Sequence, residues 1–187
     1  MEKEDRRVRY TKMVLRESFL ELLKDTPMSK ITVTDVCERA DVNRGTFYAH
    51  YSDTYDLMEK IETELIETVR AALNRHDGKP DSTRGVITEI LHCIAENEEL
   101  CRILLSGGQG YSTFMQRVTN LAREQFERIW LQYYKGDADR ILYANTFIVN
   151  GSIGVMRQWI ETGMREPCDE IAGVIESMVS RGMAAYL

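Results

Sequence analysis

Arg44, Thr46, Tyr48 and His50 offer a guanidinium, a hydroxyl, a phenol and an imidazole within one short window of the chain. These groups donate and accept hydrogen bonds toward an anionic partner that also carries base edges, and none of them is paired in sequence with a group that would make it a nucleophile. Glu96 and Glu99 are the two carboxylates that could be paired for acid–base work, and their setting is that of a solvated helix face. Four single cysteines, Cys37, Cys93, Cys101 and Cys168, form no C-x-x-C pair and have no histidine at ligand spacing, so no metal, no cofactor and no catalytic residue is expected. The chemistry on offer is recognition.

Two short helices must position these groups. Thr32 is a good N-cap, and Asp35 three residues later can close a capping box, so a helix starts at Val33. Val36, Cys37 and Ala40 share one face, and Ala40-Asp41-Val42-Asn43 is a polar break with Val42 turned inward. A second helix opens near Asn43 or Arg44. Gly45 and Thr46 keep its first turn small, Phe47 points to the core with Val36 and Val42, and Arg44, Thr46, Tyr48 and His50 stay outside. This is the layout of a helix-turn-helix, whose second helix enters the major groove while the first crosses the backbone. The bland alternative is a helical hairpin with Arg44 and His50 merely solvated.

The run from Ile31 to Leu57, centred on Val42-Asn43-Arg44-Gly45-Thr46-Phe47-Tyr48, resembles the N-terminal domain of the tetracycline-repressor (TetR) family of transcriptional regulators. The likeness extends upstream through Arg7-Val8-Arg9-Tyr10-Thr11-Lys12 and Phe19 to Leu23, and a looser one covers Asn150 to Gly154 with Trp159 to Met164. The resemblance implies an all-α homodimer that binds double-stranded DNA, usually as a repressor, with a variable C-terminal sensor. It places Arg44 and Thr46 at base edges, with Asn43 and Gly45 in the same helix start. Tyr48 and His50 are then expected at sugar-phosphate, and Thr32, Thr34, Arg9 and Lys12 on flanking phosphates. Where the family commonly has a phosphate-binding lysine, this chain has Thr54, leaving the helix N-terminus itself to meet the phosphate.

The net charge of −6 looks unfavourable for a DNA partner, but its distribution is uneven. Residues 1 to 50 hold ten basic against nine acidic residues, and the five basic residues from Arg6 to Arg16 are interrupted by no acidic one. Attraction to phosphate acts within about a Debye length, so this strip can clamp a backbone while the acidic remainder is screened. With 43% hydrophobic and 29% charged residues, three prolines and no apolar run of membrane length, the chain reads as a soluble, cytoplasmic helical protein with no membrane partner.

Periodicity predicts about nine helices: Arg7–Lys24, the two of the motif, Thr54–Arg75, Arg84–Ala95, Glu98–Leu105, Tyr111–Tyr134, Asp137–Met164 and Cys168–Tyr186. His76 to Ser82 and Gly107 to Gly110 carry breaker chemistry and read as loops. The expected division is a three-helix DNA-binding domain over 1–53 and a helical regulatory and dimerisation bundle over 54–187. Val149, Ile153, Met156 and Ile160 form one stripe and Ile171, Ile175, Met178 and Val179 another, with Gly151, Gly154 and Gly163 permitting close approach. Paired across a dyad, they would make a four-helix dimer interface that sets two reading heads about 34–36 Å apart. The alternative is that both stripes face the subunit's own core.

His92, Met115, Phe126, Trp130, Tyr133, Tyr134, Phe147 and Asn150 mix aromatics with a few polar groups, as small-molecule pockets do and as helical cores also do. An effector held there would tilt the long helix that follows the motif. A co-regulator that binds another protein through its C-terminal body is the competing function, since Thr54 replaces the phosphate-binding lysine.

Overall fold

The computed structural model describes residues 6–75, 83–105, 111–130 and 138–183. Among them are α1 (Arg6–Asp25), a 3-10 turn (Met28–Lys30), α2 (Val33–Arg39), α3 (Arg44–Tyr48) and α4 (Thr54–Asn74). The C-terminal part contributes α5 (Thr83–Glu96), α6 (Glu98–Leu105), α7 (Tyr111–Trp130), α8 (Ala138–Glu161) and α9 (Cys168–Met183). The described residues form no strand, and the fold is all-α. Among them, no helix is long and apolar enough to cross a membrane.

Helices α2 and α3 are short, and side-chain caps fix where they begin. Thr32 Oγ1 accepts from the Asp35 amide at 3.3 Å and the Asp35 carboxylate accepts from the Thr32 amide at 2.8 Å, which satisfies two otherwise orphaned donors at the start of α2. The chain leaves α2 through Asp41, whose φ of 52° is left-handed; the Val42 amide reaches back to the Cys37 carbonyl at 3.0 Å. Asp is one of the few residues that tolerates this conformation. Phe47, Val36, Phe19 and Leu15 are fully buried together where α1, α2 and α3 meet.

Helix α4 runs from this corner into the rest of the molecule, where α5 packs on α4 and α9, and α7 packs on α4 and α8. Polar ties join the two regions at α1: Lys24 to Glu99 at 2.6 Å, and Arg16 to Glu64 and Asn97, each at 3.4 Å. Exposed pairs of this kind contribute about 0–1 kcal/mol each, so the continuous apolar core must do most of the joining.

Two expectations need correction. Helix α8 ends at Glu161 rather than Met164, because Gly163 and Met164 adopt positive φ (86° and 49°) and fold the chain back, with Trp159 Nε1 donating to the Glu166 carbonyl at 3.0 Å. The stripe assigned to a dimer interface is largely interior: Val149, Ile160, Ile175 and Val179 are buried, and Ile153, Met156 and Ile171 are half-buried. Only Met178 of that set stands in solvent. The exposed apolar face of α8 and α9 is instead Leu142, Tyr143, Phe147, Val174 and Met178, with Tyr143 76% and Phe147 81% exposed. A 3.6-residue period shows that a helix has an apolar face; it does not say whose core that face enters. Gly151 and Gly154 also lie on the outside, with nothing within 4 Å of where a Cβ would sit.

Candidate nucleic-acid interface

Helix α3 is only one and a half turns long, too short to stand alone, so its orientation is imposed by what lies at its ends and beneath it. At its start Asn43 Oδ1 accepts from the Thr46 amide at 2.8 Å and from Thr46 Oγ1 at 3.1 Å. A Cβ at Gly45 would come within 3.2 Å of that same Asn43 oxygen, so glycine leaves the cap undisturbed. Beneath it Phe47 meets Tyr51 at 5.6 Å and Tyr48 at 5.8 Å between ring centroids. Beyond it Lys60 on α4 donates to the His50 carbonyl at 3.0 Å and to Asp56 at 2.9 Å, and lies 5.1 Å from the Tyr51 ring centroid. Lys60 was missed in the sequence; the Asp56–Lys60 spacing of four on one helix was its signal.

The outward surface is then set. Asn43, Arg44 and Gly45 are exposed, Tyr48 is 57% exposed, and Thr46 and His50 are half-buried. Arg9 is exposed and Lys12 half-buried on α1, where Tyr10 and Met13 also face solvent. At the start of α2 Thr32 is exposed and Thr34 half-buried, and Thr32 Oγ1 donates to the Asp35 carboxylate at 2.7 Å. The hydrogen bonds from Thr32, side chain first, hold the Asp35 carboxyl below its ordinary value. Asp56 is likewise lowered, by Lys60 and then by the Ser52 amide.

Thr54 does not belong to this surface. It is 5% exposed, and its hydroxyl reaches the Ile31 carbonyl at 3.5 Å, so the side chain ties the start of α4 to the segment before α2. The first residue of a helix can turn inward as readily as outward, and here the apolar corner takes it. Asp53 caps α4 through the Asp56 amide at 2.8 Å and puts a carboxylate where a phosphate was expected.

The expected pocket residues fare differently. A cavity of about 210 Å³ exists, and of the expected residues whose side chains are described only Met115 lines it. His92, Phe147 and Asn150 face solvent, Asn150 Nδ2 being engaged by the Thr146 carbonyl at 2.8 Å. The side chains of Phe126 and Trp130, and all of Tyr133 and Tyr134, lie outside the described residues. The described lining is mostly aliphatic, from α4 (Leu65, Ile66, Val69), α5 (Val86, Ile87, Ile90), α7 (Val118, Leu121, with the aromatic Phe114) and α8 (Ile148, Ile153, Met156). Aliphatic stripes have the same spacing whether they close on one another or leave a space between them, so the sequence does not distinguish this lining from a filled core.

Burial raises all four thiols, Cys101 to about 12, so each stays neutral at pH 7. Among the described residues no three His, Cys, Asp or Glu side chains gather as a metal site.

Residues 18–61 match the family described as bacterial regulatory proteins, tetR family, and residues 81–181 match the transcriptional regulator C-terminal region of the same group. An uncharacterized HTH-type transcriptional regulator, YxbF of Bacillus subtilis (strain 168), is 34% identical over 59 residues, which is 32% of this chain and 16% of that protein's length. A TetR transcriptional regulator from Streptococcus agalactiae 2603V superposes with a TM-score of 0.69 at 22% identity, covering 94% of this chain and 97% of that one. The regulator FadR from Bacillus subtilis, solved in complex with stearoyl-CoA, gives a TM-score of 0.67 at 12% identity, with 91% and 98% covered. With both parts of the family matched in order along it, the chain belongs to the TetR family of bacterial transcriptional regulators and carries their DNA-binding helix-turn-helix.

Proposed function

We propose that this chain is a dimeric repressor that reads a palindromic operator with α3 and is released by a small molecule held in its C-terminal part. Residues 1–53 act as the reading head and 54–187 as the regulatory and dimerising body. The observation that carries the reading is α3 itself: a helix capped by Asn43 and seated on buried Phe47, with Arg44 and Tyr48 turned to solvent. Arg44 is the residue for a guanine edge, where a bidentate guanidinium contact discriminates by about 1–3 kcal/mol. Thr46 donates its hydroxyl proton to Asn43, so toward a base it serves as an acceptor. Tyr48 and His50 meet sugar-phosphate, and Arg9, Lys12, Thr32 and Thr34 meet flanking phosphates.

One short helix reads too few base pairs, and a dyad supplies the second. The exposed face of α8 and α9, with Tyr143, Phe147 and Met178, supports a self-complementary interface. The cavity against α4 supports effector control, because α4 continues directly into the corner that holds α3. The FadR relative's stearoyl-CoA complex is a precedent for a ligand in this fold.

Selection of bound sites from random duplex DNA, with the mass of the complex measured in solution, tests the reading. The expected result is an inverted repeat occupied by two or more subunits, with affinity that falls steeply with salt. Failure to select any duplex at low salt would favour a co-regulator that works through protein contacts.

A further inference from the structure

We infer that the cavity takes an uncharged, hydrocarbon-dominated molecule of about eight carbons, an alcohol-like or hydrocarbon effector rather than an acid or an amine. This rests on the effector reading above and names the ligand class. The first argument is the wall. Helices α4 to α9 all contribute to it, and its only polar side chains among the described residues are Thr83, Gln125, Ser152 and the Cys101 thiol. No Lys, Arg, His, Asp or Glu of the described residues lines it.

An ionised group moved from water into such a space loses its hydration and finds no opposite charge, a cost that excludes carboxylates and ammonium groups far more strongly than neutral ones. Gln125 and Ser152 can satisfy one neutral polar group, such as a hydroxyl. The nearest buried charge along α4 is Glu62, one turn from Leu65 and Ile66, and it already faces Arg117 Nη1 at 3.7 Å. The thiol of Cys101 adds neutral lining and no nucleophile, since burial pushes it up to about 12.

The second argument is size. An apolar cavity of about 150 Å³ holds benzene, so about 210 Å³ corresponds by simple scaling to about eight carbons.

The experiment uses the full chain with 1-octanol, octanoate and octylamine at pH 7, each titrated against bound N-phenyl-1-naphthylamine fluorescence and followed by calorimetry. Octanol should displace the probe, and the two charged analogues should bind at least tenfold more weakly. Equal or tighter binding of octanoate or octylamine would overturn the inference, as would absence of octanol binding to protein that still selects DNA. Val118→Phe, which fills the space from α7, should abolish octanol binding while helicity and DNA binding persist; undiminished octanol binding in that variant would place the ligand elsewhere and overturn it too. DNA retention measured in parallel separates the two readings. Octanol binding in the cavity without DNA release upholds the ligand class and removes the effector role, whereas release by a charged compound that leaves the probe in place does the reverse.

Discussion

The reading head and the body solve opposite packing problems. Around α3 the interior is filled by fully buried Phe47, Val36 and Phe19, and the short helices are held by side-chain caps at Thr32 and Asn43. In the body, helices α4 to α9 surround an apolar space of about 210 Å³. The carboxylates follow the same division. Asp35 in the head is lowered by hydrogen bonds from Thr32, and Asp56, at the start of α4 beside the head, is lowered first by Lys60, whereas Glu62 farther along α4 is raised by burial against the partial relief of Arg117. A reader needs one fixed surface, and filled cores and caps provide it. Under the proposed effector control the body needs an interior that changes when filled, and an apolar cavity between helices fits that need.

The largest effect expected is on assembly. Phe147→Asp combined with Tyr143→Asp places two charges on the exposed face of α8 and should leave a monomer by sedimentation; loss of bivalent binding should then weaken operator affinity roughly 10²–10⁴-fold. An intact dimer in that double variant would move the interface off this face. Next is Phe47→Ala, expected to destabilise the head by about 3–5 kcal/mol through the cavity it leaves, with DNA binding lost before the body melts. Denaturation followed by separate probes in head and body would show whether the two regions part company. A single coincident transition with unchanged midpoint would mean that the head's core matters less than its burial implies.

How much of this was legible in the sequence follows from range. The capping box at Thr32 and Asp35 and the polar break from Ala40 to Asn43 are each encoded within four residues and mark the start of each motif helix, while the Asn43 cap emerges only in the structure. The helix count and the all-α class followed from apolar spacing. Facing was not legible. Val149, Ile160, Ile175 and Val179 have the spacing of an interface and are buried at home, while Phe147 and Tyr143, on the same helix as the first two, face out. Thr54 was misplaced for a related reason: its burial depends on the Ile31 carbonyl 23 residues away. The cavity depends on six helices at once, and no local pattern marks a space that side chains fail to fill.

Arg44→Ala comes third. It should cost about 1–3 kcal/mol in operator binding and relax preference at one base pair per half-site, with no change in melting temperature, since Arg44 is exposed and supports no core. A uniform loss across all sequences, with a shallower salt dependence, would reassign it to phosphate. Glu62→Gln should have a smaller effect that shows in pH dependence. The folded carboxyl is raised above its ordinary 4.5, so between that value and the folded one the native state holds more protons than the unfolded chain, and its contribution to stability falls as pH rises through the interval. Removing the group should flatten the curve there; an unchanged slope would assign it to other residues.

The smallest effect separates the head's logic from the body's most cleanly. Thr32→Ala removes the hydroxyl that both caps the Asp35 amide and donates to the Asp35 carboxylate, and an N-cap loss costs about 1 kcal/mol at neutral pH. The sign of its pH dependence is opposite to that of Glu62. Because the folded Asp35 carboxyl lies below its ordinary 3.8, its contribution is complete above that value and is lost as pH falls through the folded one. The difference in urea midpoint between native sequence and Thr32→Ala should therefore be constant from neutral pH down to about 4 and shrink below it, while the Asp35 carboxyl followed by NMR moves back toward its ordinary value. A difference that persists unchanged into acid would show that the cap works through the amide bond alone, and that the charge on Asp35 does nothing to hold α2 in place.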